Sequence, residues 1–312
     1  MPVARTDPAR ADVGLNAVII SVDGTTPRLL TVERPSRQEG LPSGHLDDAA
    51  DRTLEQGVRR LVSQETGLPV RYFEQLYTFG DRNRVPGGRS LAVAYLALVR
   101  HQDVRGAAKP SWRSYYELFP WEDWRGGQPG ALEGTVVPAL EGWLASAPPS
   151  ELPTRLERAE LTFGLGHARW DPVRVLDRYE LLYELQLVGE AAAAGGRPGP
   201  GLGRPLALDH RRIAAAALER LRGKLAYRPV VFEVLPDTFS LSRLQQVVEA
   251  LAGQVLHKQN FRRLVASANL VEPTGEWDQR TGGRPAELYR FRREVLRERP
   301  APGLGLRRLG GP

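Results

Sequence analysis

The chain has no cysteine among its 312 residues. That excludes a disulfide framework, a thiol nucleophile and a thiolate zinc site. It also lacks any stretch approaching the roughly 18 apolar residues that a membrane-spanning helix needs. The first twelve residues mix Arg5 and Arg10 with Asp7 and Asp12 and have no apolar centre, so they do not read as a signal peptide. The expected setting is cytoplasmic, with no membrane partner.

What is present suits an ordinary globular protein, with 41% hydrophobic and 26% charged residues. The length suits two domains. The net charge of +6 is unevenly placed. Between Asp209 and Arg299 there are 17 Lys or Arg against 11 Asp or Glu, an excess equal to that of the whole chain. A basic domain on a near-neutral one suggests a polyanionic partner for the C-terminal part. A general drift toward arginine would produce the same count.

The first hundred residues read as an α/β domain. Val13 to Val22 and Leu29 to Val32 form strands around the Asp23-Gly24 turn. Asp51 to Thr66 forms a helix with Leu54, Val58, Leu61 and Val62 on one face, ended by Gly67. Tyr72 to Phe79 and Leu91 to Val99 pair as strands across a turn containing Pro86-Gly87-Gly88. From about 105 to 170 the pattern loosens, but Trp112, Tyr115, Tyr116, Trp121, Trp124 and Trp143 argue for an ordered insertion packed on the domain. Val173 to Glu190 is helix-like. These parts place a first domain at 1–190, a linker at 191–205, a second domain at 206–299 and a tail at 300–312.

In the second domain, His210 to Leu225 reads as a helix. Ser240 caps another that runs to Gly253, with Phe239 stapling onto Leu244. A third covers about His257 to Ala268, where Phe261, Leu264, Val265 and Ala268 form a buried stripe. Its other face carries Lys258, Gln259, Asn260, Arg262, Arg263 and Ser267, types that reach base edges and phosphates. Two β-like runs, Leu270 to Pro273 and Glu287 to Arg292, flank a loop holding Arg280 and Arg284. Helix, turn, cationic helix and basic hairpin in this order make a winged helix-turn-helix that binds double-stranded DNA. The bland alternative is a solvated basic face on a small helical domain.

Leu41-Pro42-Ser43-Gly44, the helix Asp51 to Glu65 and Thr66-Gly67-Leu68 resemble a Nudix box. Phe73 to Asp81 with Ala92 to Leu98 resemble the NrtR group more particularly, Nudix-related regulators of NAD metabolism. At the other end Arg220-Leu221-Arg222-Gly223-Lys224-Leu225, Asn260-Phe261-Arg262-Arg263 and Gly283-Arg284-Pro285-Ala286 resemble that group's winged helix. The insertion is similar to that of its longer, NadQ-like variants. The resemblance implies a Nudix-like α/β/α sandwich followed by a winged helix-turn-helix.

A Nudix hydrolase follows G-x5-E-x7-R-E-U-x-E-E-x-G-U, its helix glutamates holding Mg²⁺ against a diphosphate. Aligned back from Gly67, Arg60 and Glu65 match. Leu61 and Gln64 stand where glutamates belong, the early glutamate is absent, and Gly44 lies two residues too far upstream. One helix carboxylate is a poor site for a hard cation that wants several oxygens. Asp47, Asp48 and Asp51 are carboxylates nearby, but not at the family's positions. No metal and no catalytic residue is therefore expected.

By resemblance the effector is ADP-ribose or NAD, and the pocket residues are Arg34, Arg60, Glu65, Tyr77, Phe79 and Arg82. Each has a plainer reading: Tyr77 and Phe79 as core, Arg60 in a helix-face ion pair, Arg34 solvated. His210, at a helix start, reads as a cap or an interdomain contact. The expected function is a homodimeric repressor of NAD biosynthesis or salvage genes that reads a palindromic operator. Two other readings compete: an ADP-ribose hydrolase with an accessory basic domain, and a regulator with a different ligand.

Overall fold

The computed structural model describes residues 12–82, 84, 90–193, 201–279, 285–299 and 302–304. The Pro86-Gly87-Gly88 turn, residues 194–200 of the expected linker, Arg280, Arg284 and most of the tail lie outside that set.

The first part opens with strands β1 (Asp12–Asp23), β2 (Thr26–Glu33), β3 (Glu39–Gly40) and β4 (Ser43–His45). Helix α1 (Leu54–Thr66) follows, then β5 (Tyr72–Phe79), β6 (Ser90–Leu98) and β7 (Ser111–Ser114). The sheet order is β3-β2-β1-β6-β5, with β4 added to β1 and β7 to β2. β1 runs parallel to β6 and antiparallel to β2. Its unbroken buried run from Leu15 to Val22 marks a strand covered on both faces. On one face Val58 and Val62 of α1 pack with Leu15, Ile19 and Tyr95. Thr53 caps that helix by accepting from the Gln56 N–H at 3.1 Å.

The other face is covered by helices, as a sandwich requires. The aromatic segment forms α2 (Tyr115–Leu118), a π turn at Leu132–Val136, α3 (Val137–Ala145) and α4 (Leu152–Phe163). Next come α5 (Val175–Glu184) and α6 (Gly189–Ala193). The helix expected over 173–190 breaks in two, because Gln186 adopts a left-handed φ of 57° between them. Tyr115 and Trp121 are fully buried, so the aromatic insertion is indeed a packed layer.

Helix α7 (His210–Leu225) lies directly under the sheet. Ala214 to Ala217 are all fully buried, and such small side chains let the helix approach strands on one side and α5 on the other. Its place in the sequence puts this helix in the DNA-binding domain. Its burial makes it equally the second covering layer of the first.

The C-terminal part contains β8 (Thr238–Ser240), α8 (Leu241–Ala252), α9 (Lys258–Ala268), β9 (Val271–Asp278), β10 (Ala286–Phe291) and α10 (Val295–Glu298). Ser240 caps α8 by accepting from the Arg243 N–H, and Phe239 and Leu244 are both buried, as the staple requires. The hairpin is longer than the sequence suggested, since β9 continues to Asp278.

Three segments meet around one buried carboxylate. Glu122 Oε1 takes the Arg178 Nε–H at 2.5 Å, and Glu122 Oε2 is bonded by both Arg178 and Arg222. All three side chains are essentially without solvent contact. The arginines spend their other N–H groups on carbonyls of Thr162, Asp171, Pro172 and Leu251, and Trp170 lies 3.8 Å from the Arg178 guanidinium. Gly253 ends α8 here with φ 72°. A side chain on it would meet Glu122 O at 2.4 Å and the Arg222 guanidinium at 2.6 Å. Tyr116 Oη donates to Ala250 O at 2.7 Å beside it.

Removing one partner of a buried, hydrogen-bonded ion cluster strands the rest. Glu122→Gln is expected to lower the free energy of unfolding by about 3–5 kcal/mol in denaturant titration. A loss below about 1 kcal/mol, the range of exposed ion pairs, would show that the guanidiniums are held by carbonyls alone.

Candidate ligand site and nucleic-acid interface

Glu65 ends the box helix, and the structure surrounds it with donors. Its Oε2 accepts from the Ser43 N–H at 3.1 Å and its Oε1 from Arg34 at 3.2 Å. Arg34 sits just past β2 and also donates to Ser43 O. Both charged side chains keep about a fifth to a quarter of their exposure, so the pair faces solvent from a part-buried floor. Burial pushes the Glu65 carboxyl up, against the opposing pull of Arg34 and the Ser43 amide.

Arg60 is drawn away from this pair. Its Nε and Nη2 fork onto Asp51 at 2.9 and 2.7 Å, and Nη1 donates to Gln64. Asp51 is held down to about 2 by that hydrogen bonding and by the Asp47 amide. Asp51 is therefore spent on Arg60 and the Asp47 amide. Leu61 presses on the loop opposite: a side chain at Gly44 would lie 2.6 Å from its Cδ2. An aliphatic group thus occupies ground where the family pattern puts a metal-binding glutamate. Among the described residues no three His, Asp or Glu side chains are grouped to hold a metal ion. Glu65, already engaged by a guanidinium and an amide, does not fit Mg²⁺ by itself.

Tyr77 and Phe79 stand on the opposite face of the sheet. Phe73 and Gln75 of β5 face α1, one under Arg59 and the other beside Tyr95. Strict alternation would carry 77 and 79 to that same face. A register shift between Gln75 and Thr78 turns them over. Phe79 is buried in the core under α7, with Arg212 5.6 Å above its ring, and half-exposed Tyr77 lies under Arg220. Arg82 is exposed just beyond β5. Of the six expected pocket residues, the fold brings Arg34 and Glu65 into direct contact, binds Arg60 to Asp51 instead, and puts the aromatic two on the other face of the sheet.

Sequence reasoning missed what lies behind the pair. His210, the first residue of α7, is buried, and its Nδ1 accepts from the Leu41 N–H at 3.0 Å. Of the two readings given to it, the contact across the chain is the one the fold makes. Asp209 beside it takes a two-pronged bond from Arg84 at 2.9 and 2.6 Å. Nothing in the local pattern around Arg84 signals this pairing, which spans 125 positions.

The third helix, α9, presents the surface its periodicity implied. Phe261 and Val265 are buried, Leu264 and Ala268 partly so. Lys258, Gln259, Asn260, Arg262, Arg263 and Ser267 are exposed. Of these, Asn260 and Arg263 touch each other at 3.3 Å. On the hairpin, the basic face is partly neutralised: Arg290 pairs with Glu272 at 2.6 Å and Arg292 pairs with Glu298. Phe291 instead stacks on Phe232 at 4.3 Å and anchors the hairpin. Among the described residues, α9 thus carries the exposed cations Lys258, Arg262 and Arg263, and the segment after β10 carries Arg293, Arg297 and Arg299.

Burial pushes the His210 imidazole down to about 4, with Arg34 and Arg84 adding to the effect against Asp209. An unfolded histidine takes its proton near 6.5. Between those values the unfolded chain binds a proton that the folded chain refuses, so stability is lost as pH falls through that window. From pH 7 to pH 5 this group costs the wild type about 2 kcal/mol. His210→Gln should lose correspondingly less over the same interval in thermal unfolding; parallel pH profiles would show that the imidazole is not held neutral.

Comparison with known proteins agrees with this two-part layout. The model of the NUDIX domain matches residues 13–133, and that of the NrtR DNA-binding winged helix domain matches residues 231–291. The ADPR responsive transcriptional repressor NtrR of Acinetobacter baylyi is 24% identical over 281 residues, covering 89% of this chain and 80% of that protein. Shewanella oneidensis NrtR, solved with a 27mer DNA, aligns over 91% of this chain and 94% of its own, with TM-score 0.57 and 24% identity. The NUDIX domain of the same protein, solved with ADP ribose, is 30% identical over 36% of this chain and 79% of its own, with TM-score 0.33. The chain thus carries a Nudix domain followed by a winged helix domain of the NrtR DNA-binding type.

Proposed function

We propose that this protein is a DNA-binding repressor whose Nudix domain senses ADP-ribose without depending on its hydrolysis. The observation that carries this reading is the state of the box helix. Its one remaining family carboxylate, Glu65, is bonded to Arg34 and the Ser43 amide, while Leu61 and Gln64 offer no anionic oxygen. Such a site binds a diphosphate ligand through a guanidinium and leaves it intact. A sensor needs that, because an effector must persist to shift an equilibrium.

Arg34 is the residue assigned to the ligand's phosphates, with Glu65 orienting it and Arg60 flanking it. Lys258, Gln259, Asn260, Arg262 and Arg263 of α9 are assigned to the major groove, and Arg280 and Arg284 of the wing loop to the backbone. Two copies are expected to read a palindromic operator, since helix-turn-helix proteins contact half-sites about one helical turn apart. The genes expected under it are those of NAD synthesis or salvage, with NAD itself as the alternative effector. This rests on likeness to the group.

The direct test is fluorescence anisotropy of promoter DNA from the protein's own gene and from NAD genes, at fixed salt, with and without ADP-ribose. Arg262→Ala and Arg263→Ala should each weaken specific binding by about tenfold or more, the worth of a good base contact. Arg34→Ala should leave DNA affinity intact and reduce ADP-ribose affinity about tenfold, as loss of a charge-assisted bond to phosphate implies. Release of AMP from ADP-ribose with Mg²⁺ at ordinary enzyme rates, of order 1 s⁻¹ or more, would return the hydrolase reading. DNA binding indifferent to ADP-ribose and NAD would point to another ligand.

A further inference from the structure

The segment leading into α7 is tied to both sides of the proposed ligand site. Ala207 N–H donates to Glu39 O on β3 at 2.8 Å. Three residues on, His210 accepts from Leu41, just past β3. The fit there is close: a side chain on Gly40 would sit 2.6 Å from His210 Nδ1 and 2.9 Å from Arg34 Cγ. The imidazole of His210 and the stem of Arg34 therefore both lie against Gly40 of β3. From the other direction, Arg84 reaches in beyond β5 to grip Asp209, both side chains largely buried.

Between these ties lies Leu208, with φ 54° and about half its side chain exposed. A branched apolar residue in the left-handed region is strained, and it persists only where neighbours over-determine it. Here the neighbours are the four contacts just named, together with Leu206 N–H on Glu190, which is itself paired to Arg211.

What begins at this junction ends at the DNA-binding domain. α7 has 16 residues and so extends about 24 Å as a single rod. At its far end Arg222 binds Glu122 and Leu251 O, locking the rod to the insertion and to α8. A change at the junction cannot be absorbed within α7 or at its packed far end.

We propose that Asp209 and His210 are positioning residues that convey occupancy of the Arg34–Glu65 site to the DNA-reading helices. A diphosphate that draws Arg34 from Glu65 moves the stem lying against Gly40, on which the His210 imidazole also rests. The loop hydrogen bond to His210 then shifts, and the strained turn at Leu208 lets α7 follow. This inference rests on the sensor reading above; neither residue contacts the ligand or the DNA.

The test uses the full-length protein, with ADP-ribose affinity from calorimetry and promoter-DNA affinity from anisotropy, each alone and together. In the wild type the ligand is expected to change DNA affinity about tenfold, within the usual range of allosteric coupling. His210→Leu removes the acceptor for the Leu41 N–H. It should bind ADP-ribose and DNA separately as the wild type does, while the effect of one on the other falls below about twofold. His210→Gln, which restores an acceptor oxygen, should recover most of the coupling. Arg84→Lys keeps the charge but loses the two-pronged grip on Asp209 and tests the second tie even if His210→Leu does not fold. His210→Leu and Arg84→Lys are both expected to lose coupling; if they respond like the wild type, the inference is overturned and the sensor reading stands. Loss of ADP-ribose binding itself in His210→Leu would also overturn it, since the histidine would then belong to the ligand site. A wild type that fails to bind ADP-ribose, or binds it without effect on DNA, overturns both.

Discussion

A carboxylate held away from water by two guanidiniums is the constraint on which this molecule turns. Taking three charges into the interior is expensive, and only near-complete hydrogen bonding makes it tolerable. Glu122, Arg178 and Arg222 meet that demand with five carbonyls, a tyrosine hydroxyl and an indole face drawn from four segments. Such a cluster tolerates little rearrangement, because each displaced donor would be left unpaired in a region without solvent. The insertion, α7 and the start of the helix-turn-helix are consequently one body. The insertion that interrupts the Nudix pattern is the part that fastens sensor to reader.

The sensor end is built on the opposite logic. Around Arg34 and Glu65 the charges are part exposed and paired with each other, and under the proposed function a ligand takes over one half of that pair. Hydrolysis of a diphosphate calls for a hard cation on several clustered oxygens. Here Leu61 packs against Gly44, and Asp51 is turned toward Arg60. The box thus departs from the hydrolase pattern by more than missing glutamates: Leu61 and the Arg60–Asp51 pair fill the space and hold the box helix on its loop.

Much of the fold was legible in the sequence where one periodicity governed one element. β5 and α7 were bounded as found, and the Ser240 cap with its Phe239 staple located α8 to the residue. The exposed face of α9 followed from the spacing of Phe261, Leu264, Val265 and Ala268. Legibility failed where a position depends on distant partners. A bulge between Gln75 and Thr78 carries no local sign, yet it decides which side of the sheet Tyr77 and Phe79 occupy. The tie between Arg84 and Asp209 is long-range, so no spacing rule reports it. α7 was recognised as a helix, but its run of alanines did not disclose that both flanks are covered.

The shared position of α7 bears on how such a chain can diversify. Sensors and readers joined by a passive tether can be recombined freely, each carrying its own interior. Here the winged helix rests on a rod that is also the underside of the sensor, and its first helix is clasped by an insertion belonging to the sensor. A reader borrowed from a relative would arrive without matching walls for either contact. The two halves are therefore bound to change together. Under the proposed function, new operator preferences are acquired by substitution on the exposed face of α9, whose side chains, among the described residues, hydrogen-bond only within the helix.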